Sequence, residues 1–220
     1  MSEHDFEPIR GLPGDLPKGE RLLWQGSPSW TRLACEAFHV RAVALYFGVM
    51  LTWRTAAAIG AGTAPLTALE ASLSVAPLAL LAVGLLAFLG WLNARTTVYT
   101  ITNKRVVMRF GSALTKAINL PFTIIESGAM KAFADGSGDV AMTLKAPNKL
   151  AFLHMWPHVR PWRVASPQPS LRSIKDAPGV ARILASAMKA ELGVDVAPIS
   201  AEVQPRAAAS SMNRPETAAA

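Results

Sequence analysis

The densest chemistry in the chain lies in the segment His154-Met-Trp-Pro-His-Val-Arg-Pro-Trp-Arg163. Its tryptophans, arginines and prolines make a stiff stretch with cation–π capacity. Trp and Arg are also the residue types most enriched in binding hot spots. Trp156, His158, Arg160, Trp162 and Arg163 are therefore candidate partner-binding residues, against the alternative that the two tryptophans cap a β core. His154 and His158 have the i, i+4 spacing of a helical ligand pair, but Pro157 between them opposes a simple helix. No carboxylate or cysteine lies close by in sequence to complete a metal set. Asp135-Gly-Ser-Gly-Asp139 lacks the ligand pattern of an EF loop and precedes a strand, so it reads as a hairpin turn and neither a calcium site nor a phosphate cradle. His39 could ligate the magnesium of a chlorin pigment, as imidazoles do, or simply contact headgroups. Nothing pairs a nucleophile with a base, and we expect no enzyme, no metal and no catalytic residues.

These residues need elements to position them, and the strongest element signal is apolar. Ala71 to Ala94 carries no charge and ends at Arg95. A bilayer core needs roughly 20 apolar helical residues to cross it. We expect one span at about 74–93, with Trp91 as an interfacial aromatic, and an earlier one at about 42–61. Arg54 interrupts the earlier span. It can snorkel toward the far interface or pair with a partner's acid, and it joins the candidate partner-binding residues. The connection Gly62 to Ala71 holds Thr63, Pro65 and Thr67, which suit a turn, and no Lys or Arg. Basic residues flank the other side (Arg32, Arg41, Arg95, Lys104, Arg105, Arg109), so both termini are expected in the cytoplasm.

The net charge of +7 is uneven: residues 1–41 hold five Lys/Arg and six Asp/Glu, residues 95–220 sixteen and eight. A basic domain beside a bilayer is attracted to anionic headgroups. The bases are scattered over predicted strands, not stacked on one helix, which argues against nucleic acid. The single cysteine, Cys35, excludes an internal disulfide framework and any multi-cysteine metal site. Met1 to Glu7 is acidic and shows no secretory signal.

From Thr97 the pattern changes to period two. Tyr99 and Ile101 alternate with Val98, Thr100 and Thr102, and Asn103-Lys104 turns into Arg105–Phe110. Further strands are predicted near Lys116–Leu120, Ile124–Phe133, Val140–Lys145 and Leu150–Met155. A helix follows, capped by Asp176, with Val180, Ile183, Leu184, Ala187 and Met188 on one face and Gly193 at its end. Upstream, Trp24-Gln-Gly-Ser-Pro-Ser-Trp30 is either an interfacial anchor or a strand docking on the later domain, and Trp24 and Trp30 are further binding candidates. The expected fold is a membrane-anchored α+β chain: a cytoplasmic segment 1–37, a two-helix transmembrane hairpin 38–94, a pleckstrin-homology-like cytoplasmic domain 95–192 and a disordered tail 193–220. The domain is expected to be an antiparallel β sandwich or barrel closed by a C-terminal helix.

Several segments carry a resemblance. Gly19-Glu-Arg-Leu-Leu-Trp-Gln-Gly-Ser-Pro28, Phe38-His-Val-Arg41 and Val98-Tyr-Thr-Ile-Thr-Asn-Lys-Arg-Val-Val107 resemble bacterial pleckstrin-homology membrane proteins. Asn119-Leu-Pro-Phe122, Gly136-Ser-Gly-Asp-Val140 and Leu153–Arg163 are similar to a narrower group, the photosynthetic complex assembly proteins of purple bacteria. That resemblance implies a non-enzymatic assembly factor of the cell inner membrane or intracytoplasmic (chromatophore) membrane. Its implied partners are reaction-centre subunits, light-harvesting 1 polypeptides and membrane lipid, with a homodimer compatible and nucleic acid excluded. The alternative is a bacteriochlorophyll- or lipid-binding membrane protein.

Overall fold

The two longest helices are apolar on every side. The computed structural model describes residues 11–12, 14–111, 115–146, 150–193 and 200–203. Helix α1 spans Trp30–Glu36 and α2 Val40–Gly60; α3 spans Pro65–Leu73 and α4 Ala76–Thr96. Helix α2 buries none of its residues, and Leu45, Tyr46, Val49 and Trp53 stand exposed. Such a helix is satisfied by a hydrocarbon surround, not by water. Both α2 and the α3–α4 stretch are long and apolar enough to cross a membrane.

The expected turn at 62–71 is instead mostly helix α3. Pro65 opens it at the position where a missing N–H costs nothing. Arg54 is exposed, and its Nη2 lies 3.5 Å from the Ala71 carbonyl in the last turn of α3.

Helix α1 lies along the end of α4. Leu33, Ala37 and Phe38 pack with Ala94, Leu86 and Leu89. The approach is close because Gly90 has no side chain: a Cβ there would stand 2.8 Å from the Ala34 Cβ. Small residues allow helix backbones to meet in this way.

The described residues include eight strands in two sheets. The first has the order β1 (Leu22–Gly26), β2 (Val98–Thr102), β3 (Arg105–Phe110), β4 (Lys116–Pro121), all antiparallel. The second runs β7 (Ser170–Ile174), β6 (Gly138–Leu144), β5 (Ile125–Ala132), β8 (Ser200–Val203). Tyr99, Ile101, Val106 and Met108 of the first sheet and Val140, Met142 and Leu171 of the second share one core with helix α6 (Ala177–Leu192). Among the described residues no strand joins one sheet to the other, so they form two sheets packed on a helix and no closed barrel.

Helix α6 follows its predicted boundaries. The Asp176 carboxylate accepts from the Gly179 N–H at 2.9 Å, and Gly193 ends the helix with φ +64°. Burial of Val180, Leu184 and Met188 contributes on the order of 1.5–3 kcal/mol per side chain.

Three expectations are corrected. The 1–37 segment is not separate from the domain, because β1 pairs with β2. The β2–β3 hairpin grips the same segment: Arg105 Nε is 2.7 Å from Glu20 Oε1, and Asn103 donates to the Gly19 carbonyl. Leu150–Met155, expected as a strand, instead enters a short helix, α5 (Phe152–Met155). The tail predicted as disordered contains β8, which pairs parallel to β5. The rest of that tail lies outside the described residues.

Candidate functional site

The Trp/His/Arg segment is fixed at both ends of the apolar hairpin. Trp156 meets Phe38 edge-on, with ring centroids 5.1 Å apart, and Phe38 stands just before α2. His158 is fully buried beneath the end of α4. Its Nε2 is 3.1 Å from Thr97 Oγ1, and its Nδ1 is 2.7 Å from the Tyr99 hydroxyl.

The donors in this relay can be assigned by elimination. The Thr97 hydroxyl gives its proton to the Asn93 carbonyl at 2.7 Å and so accepts from His158 Nε2. That leaves Nδ1 of the neutral ring to accept from the Tyr99 hydroxyl, whose oxygen also accepts the Arg172 backbone N–H at 3.2 Å. Every member is neutral. Burial, reinforced by the Arg172 charge, lowers the His158 pKa from the usual 6.5 to about 3. Burial likewise pushes the Tyr99 phenol up.

Beside this relay a charged pair is buried. Arg172 Nε lies 3.1 Å from Asp139 Oδ2, close enough to pair but outside hydrogen-bond geometry. Arg172 Nη1 reaches the Pro157 and Val159 carbonyls at 3.4 and 3.3 Å. A bulge where β7 meets β6 frees the Ser173 backbone, at φ +55°. Its N–H bonds Asp139 Oδ1, and its carbonyl accepts from the Ser29 N–H at the start of α1. On the solvent side Arg32 pairs with Asp135. Hydrogen bonds from Ser137, then Arg32, lower the Asp135 pKa to about 2.

Arg172 also faces a cavity of about 570 Å³ between the second sheet, the α1–α2 junction and the loop after α5. Ala129, Lys131, Ala141, Ser170 and Arg172 form its sheet side. Glu36, Ala37 and His39 close the helix side, and Phe152, Trp156, Arg160 and Trp162 complete it. The volume falls within the roughly 300–1,000 Å³ of small-ligand sites.

The structure therefore brings His39, Trp156, Arg160 and Trp162 to one cavity. His158 is a buried structural residue behind it, not a contact surface. Arg163 is exposed on the same loop. Trp24 packs on the β core as part of β1, which resolves its alternatives in favour of a docking strand. Trp30 begins α1 and is exposed, and Arg54 lies far along α2 from the cavity. Asp135 and Asp139 serve different partners, Arg32 and Arg172. Among the described residues no group of three His, Cys, Asp or Glu could hold a metal. Sequence reasoning missed Tyr99, Ser170 and Arg172. The alternation in Ser170-Leu-Arg-Ser-Ile174 was the available signal for the last two.

Two sheets closed by a C-terminal helix define a pleckstrin-homology-like domain. The bacterial PH domain family matches residues 40–188, and the chain belongs to that family. It is also 39% identical over 198 residues to a Rhodobacter capsulatus protein described as an uncharacterized 23.7 kDa protein in the puhA 5' region. That match covers 87% of this chain and 91% of the relative. No solved structure matches the chain.

Proposed function

We propose that the protein is a non-enzymatic assembly factor of the PuhB type for the purple-bacterial reaction centre and its light-harvesting 1 antenna. Helices α2 and α3–α4 form a hairpin in the inner or chromatophore membrane, with both termini in the cytoplasm. The β domain sits at the cytoplasmic face, and nascent subunits pack against the hairpin until the finished complex displaces it.

The observation that carries this reading is helix α2, 21 residues long with no residue buried by its own chain. Helix α4 is covered near its end by α1, whereas α2 turns a half-buried stripe (Val43, Phe47, Met50, Thr55) toward α3 and α4 and leaves the face of Leu45, Val49 and Trp53 open to other helices in the bilayer. The description of the Rhodobacter relative supplies the photosynthetic context. Purification of the full chain from photosynthetic membranes in mild detergent tests the reading. Recovery with reaction-centre or antenna polypeptides is expected; recovery with lipid alone rules it out.

A second reading has one observation in its favour. His39 is exposed at the start of α2, beside the cavity, in a left-handed conformation with φ +53°. An axial ligand to bacteriochlorophyll could stand there. A near-infrared band in the purified protein that disappears in His39→Ala would establish it, and a spectrum without that band would remove it.

A further inference from the structure

We infer that the cavity holds a planar, uncharged ring bearing carbonyl oxygens and an apolar tail, the chemistry of a prenylated quinone. The inference rests on α2 and α4 spanning the bilayer and goes beyond the assembly reading, which names no ligand for this site.

The floor of the cavity is one face of the second sheet. Ala129 on β5 stands opposite Ala141 on β6, and Ala141 opposite Ser170 on β7. These residues form a single row across three strands, about 10 Å wide at the usual strand spacing. Two methyl groups and a hydroxyl keep that row flat. A sheet face offers no free backbone ladder, so an extended peptide gains no main-chain bonds there. A flat ring can lie on it. Phe152, Trp156 and Trp162 supply aromatic surface from the loop side, and rings of this kind favour offset or edge contacts with another ring.

The charges on the lining ask for no counter-ion. The next row along the sheet sets Lys131 opposite Asp139. Lys131 Nζ stands 3.9 Å from Glu36 Oε2, and Asp139 pairs with Arg172. Arg160 is engaged with Gln168: its backbone N–H bonds the Gln168 carbonyl, and its Nη1 lies 3.4 Å from Gln168 Oε1. A charged ligand would have to compete with these contacts. The group left over is neutral. Ser170 is 1% exposed, lines the cavity, and its hydroxyl has no hydrogen-bond partner among the described residues. A buried hydroxyl without a partner is destabilising, and a carbonyl oxygen on the ligand would relieve it. His39 lines the helix side, and an imidazole carries an N–H in either tautomer. Donors on two sides suit a ring with carbonyls on opposite edges.

Position supplies the tail. The Phe38–Trp156 and Thr97–His158 contacts fix the loop level with the start of α2 and the end of α4. There the chain exposes Leu153, Val164 and Trp162, the last at 92%. Trp162 also lines the cavity, so an apolar tail can leave along it toward the bilayer. A soluble aromatic carbonyl compound would need no such exit.

The test uses the full chain, purified, stripped of lipid and titrated in zwitterionic detergent, with bound ligand counted by native mass spectrometry. Decylubiquinone should bind at least about tenfold more tightly than decylbenzene, which keeps a ring and a tail without carbonyls; that ratio is equivalent to 1.4 kcal/mol. Ser170→Ala should weaken decylubiquinone about fivefold, the scale of one neutral hydrogen bond. It should leave the unfolding midpoint of the empty protein unlowered, because the hydroxyl bonds nothing there. Ala129→Leu, which fills the flat row, should abolish binding. Ser186→Ala, exposed on α6, should change nothing. Equal affinity for the two probes, an equal loss in Ser186→Ala, or a lowered midpoint in Ser170→Ala overturns the inference. So does duroquinone, a ring without a tail, binding as tightly as decylubiquinone, or bacteriochlorophyll displacing the probe. Resistance to carbonate extraction, measured on the same protein, checks the anchor separately. A resistant chain with no preference for decylubiquinone refutes this inference and leaves the assembly reading standing. Quinone preference without co-purified subunits does the reverse.

Discussion

The Tyr99 hydroxyl stands 2.7 Å from His158 Nδ1 and accepts the Arg172 backbone N–H, joining β2, the Trp-rich loop and β7 through one oxygen. The far side of the imidazole passes through Thr97 to the Asn93 carbonyl in the last turn of α4. One buried chain of neutral hydrogen bonds thus couples an apolar helix to the strand that floors the cavity. Buried networks of this kind impose one geometry when every member is satisfied.

Removing the shared oxygen should be costly. Tyr99→Phe leaves the Arg172 N–H and His158 Nδ1 without partners in a dry site, with an expected loss of about 1–3 kcal/mol. Denaturant unfolding followed by near-ultraviolet circular dichroism measures it. A double variant with His158→Phe should lose less than the sum of the two single changes, because both remove the same bond.

Acid should weaken the fold through His158. Its folded pKa, about 3, lies below the 6.5 of the free side chain. The neutral ring therefore contributes its full stability above 6.5 and loses it progressively as pH falls toward 3. The slope from this one proton is at most about 1.4 kcal/mol per pH unit. In His158→Gln the dependence between pH 6.5 and 4.5 should flatten, as read from denaturation midpoints. An unchanged slope would mean that the ring is not held neutral. The Asp135 contribution has the corresponding sign for a carboxylate: it is present above 3.8 and lost toward 2.

The Asp139–Arg172 pair should tolerate no half-removal. Asp139→Asn leaves a buried guanidinium without its counter-charge, for an expected loss of about 3–5 kcal/mol. Asp135→Asn, in an exposed pair, should cost far less. Thermal unfolding of the two variants side by side makes the comparison.

The α1–α4 contact depends on Gly90. A Cβ there would meet Ala34 at 2.8 Å on its Cβ and 2.9 Å on its Cα. Gly90→Val should destabilise the junction by about 1–3 kcal/mol and speed proteolysis near α1. Gly84→Val, with open space around it, should do neither.

What the sequence disclosed follows from how local each signal was. The Asp176 cap, the Val180–Met188 stripe and the Gly193 stop all lie within one helix, and α6 appeared where they put it. The alternation of Tyr99 and Ile101 located β2, and both face the core. Leu150–Met155 is a short apolar run whose period cannot separate helix from strand. Strands β7 and β8 depend on partners distant in sequence, with β7 preceded by Pro167 and Pro169 and β8 set in an Ala/Pro/Ser-rich tail. The cavity was half legible. Trp156, Arg160 and Trp162 stood out by composition, whereas Ser170 and Arg172 join them only through the pairing of β6 with β7. Asp139 was read as part of a turn, but its carboxylate belongs to the bulge opposite it.

The central claim is that α2 is the face on which photosynthetic subunits assemble. A photoactivatable cross-linker placed at Val49, exposed on α2, reports it inside intact photosynthetic membranes. Adducts with reaction-centre or light-harvesting 1 polypeptides are expected from Val49 and none from Ala79, which is buried on α4. Adducts with lipid alone, or the same polypeptides from both positions, would contradict the account.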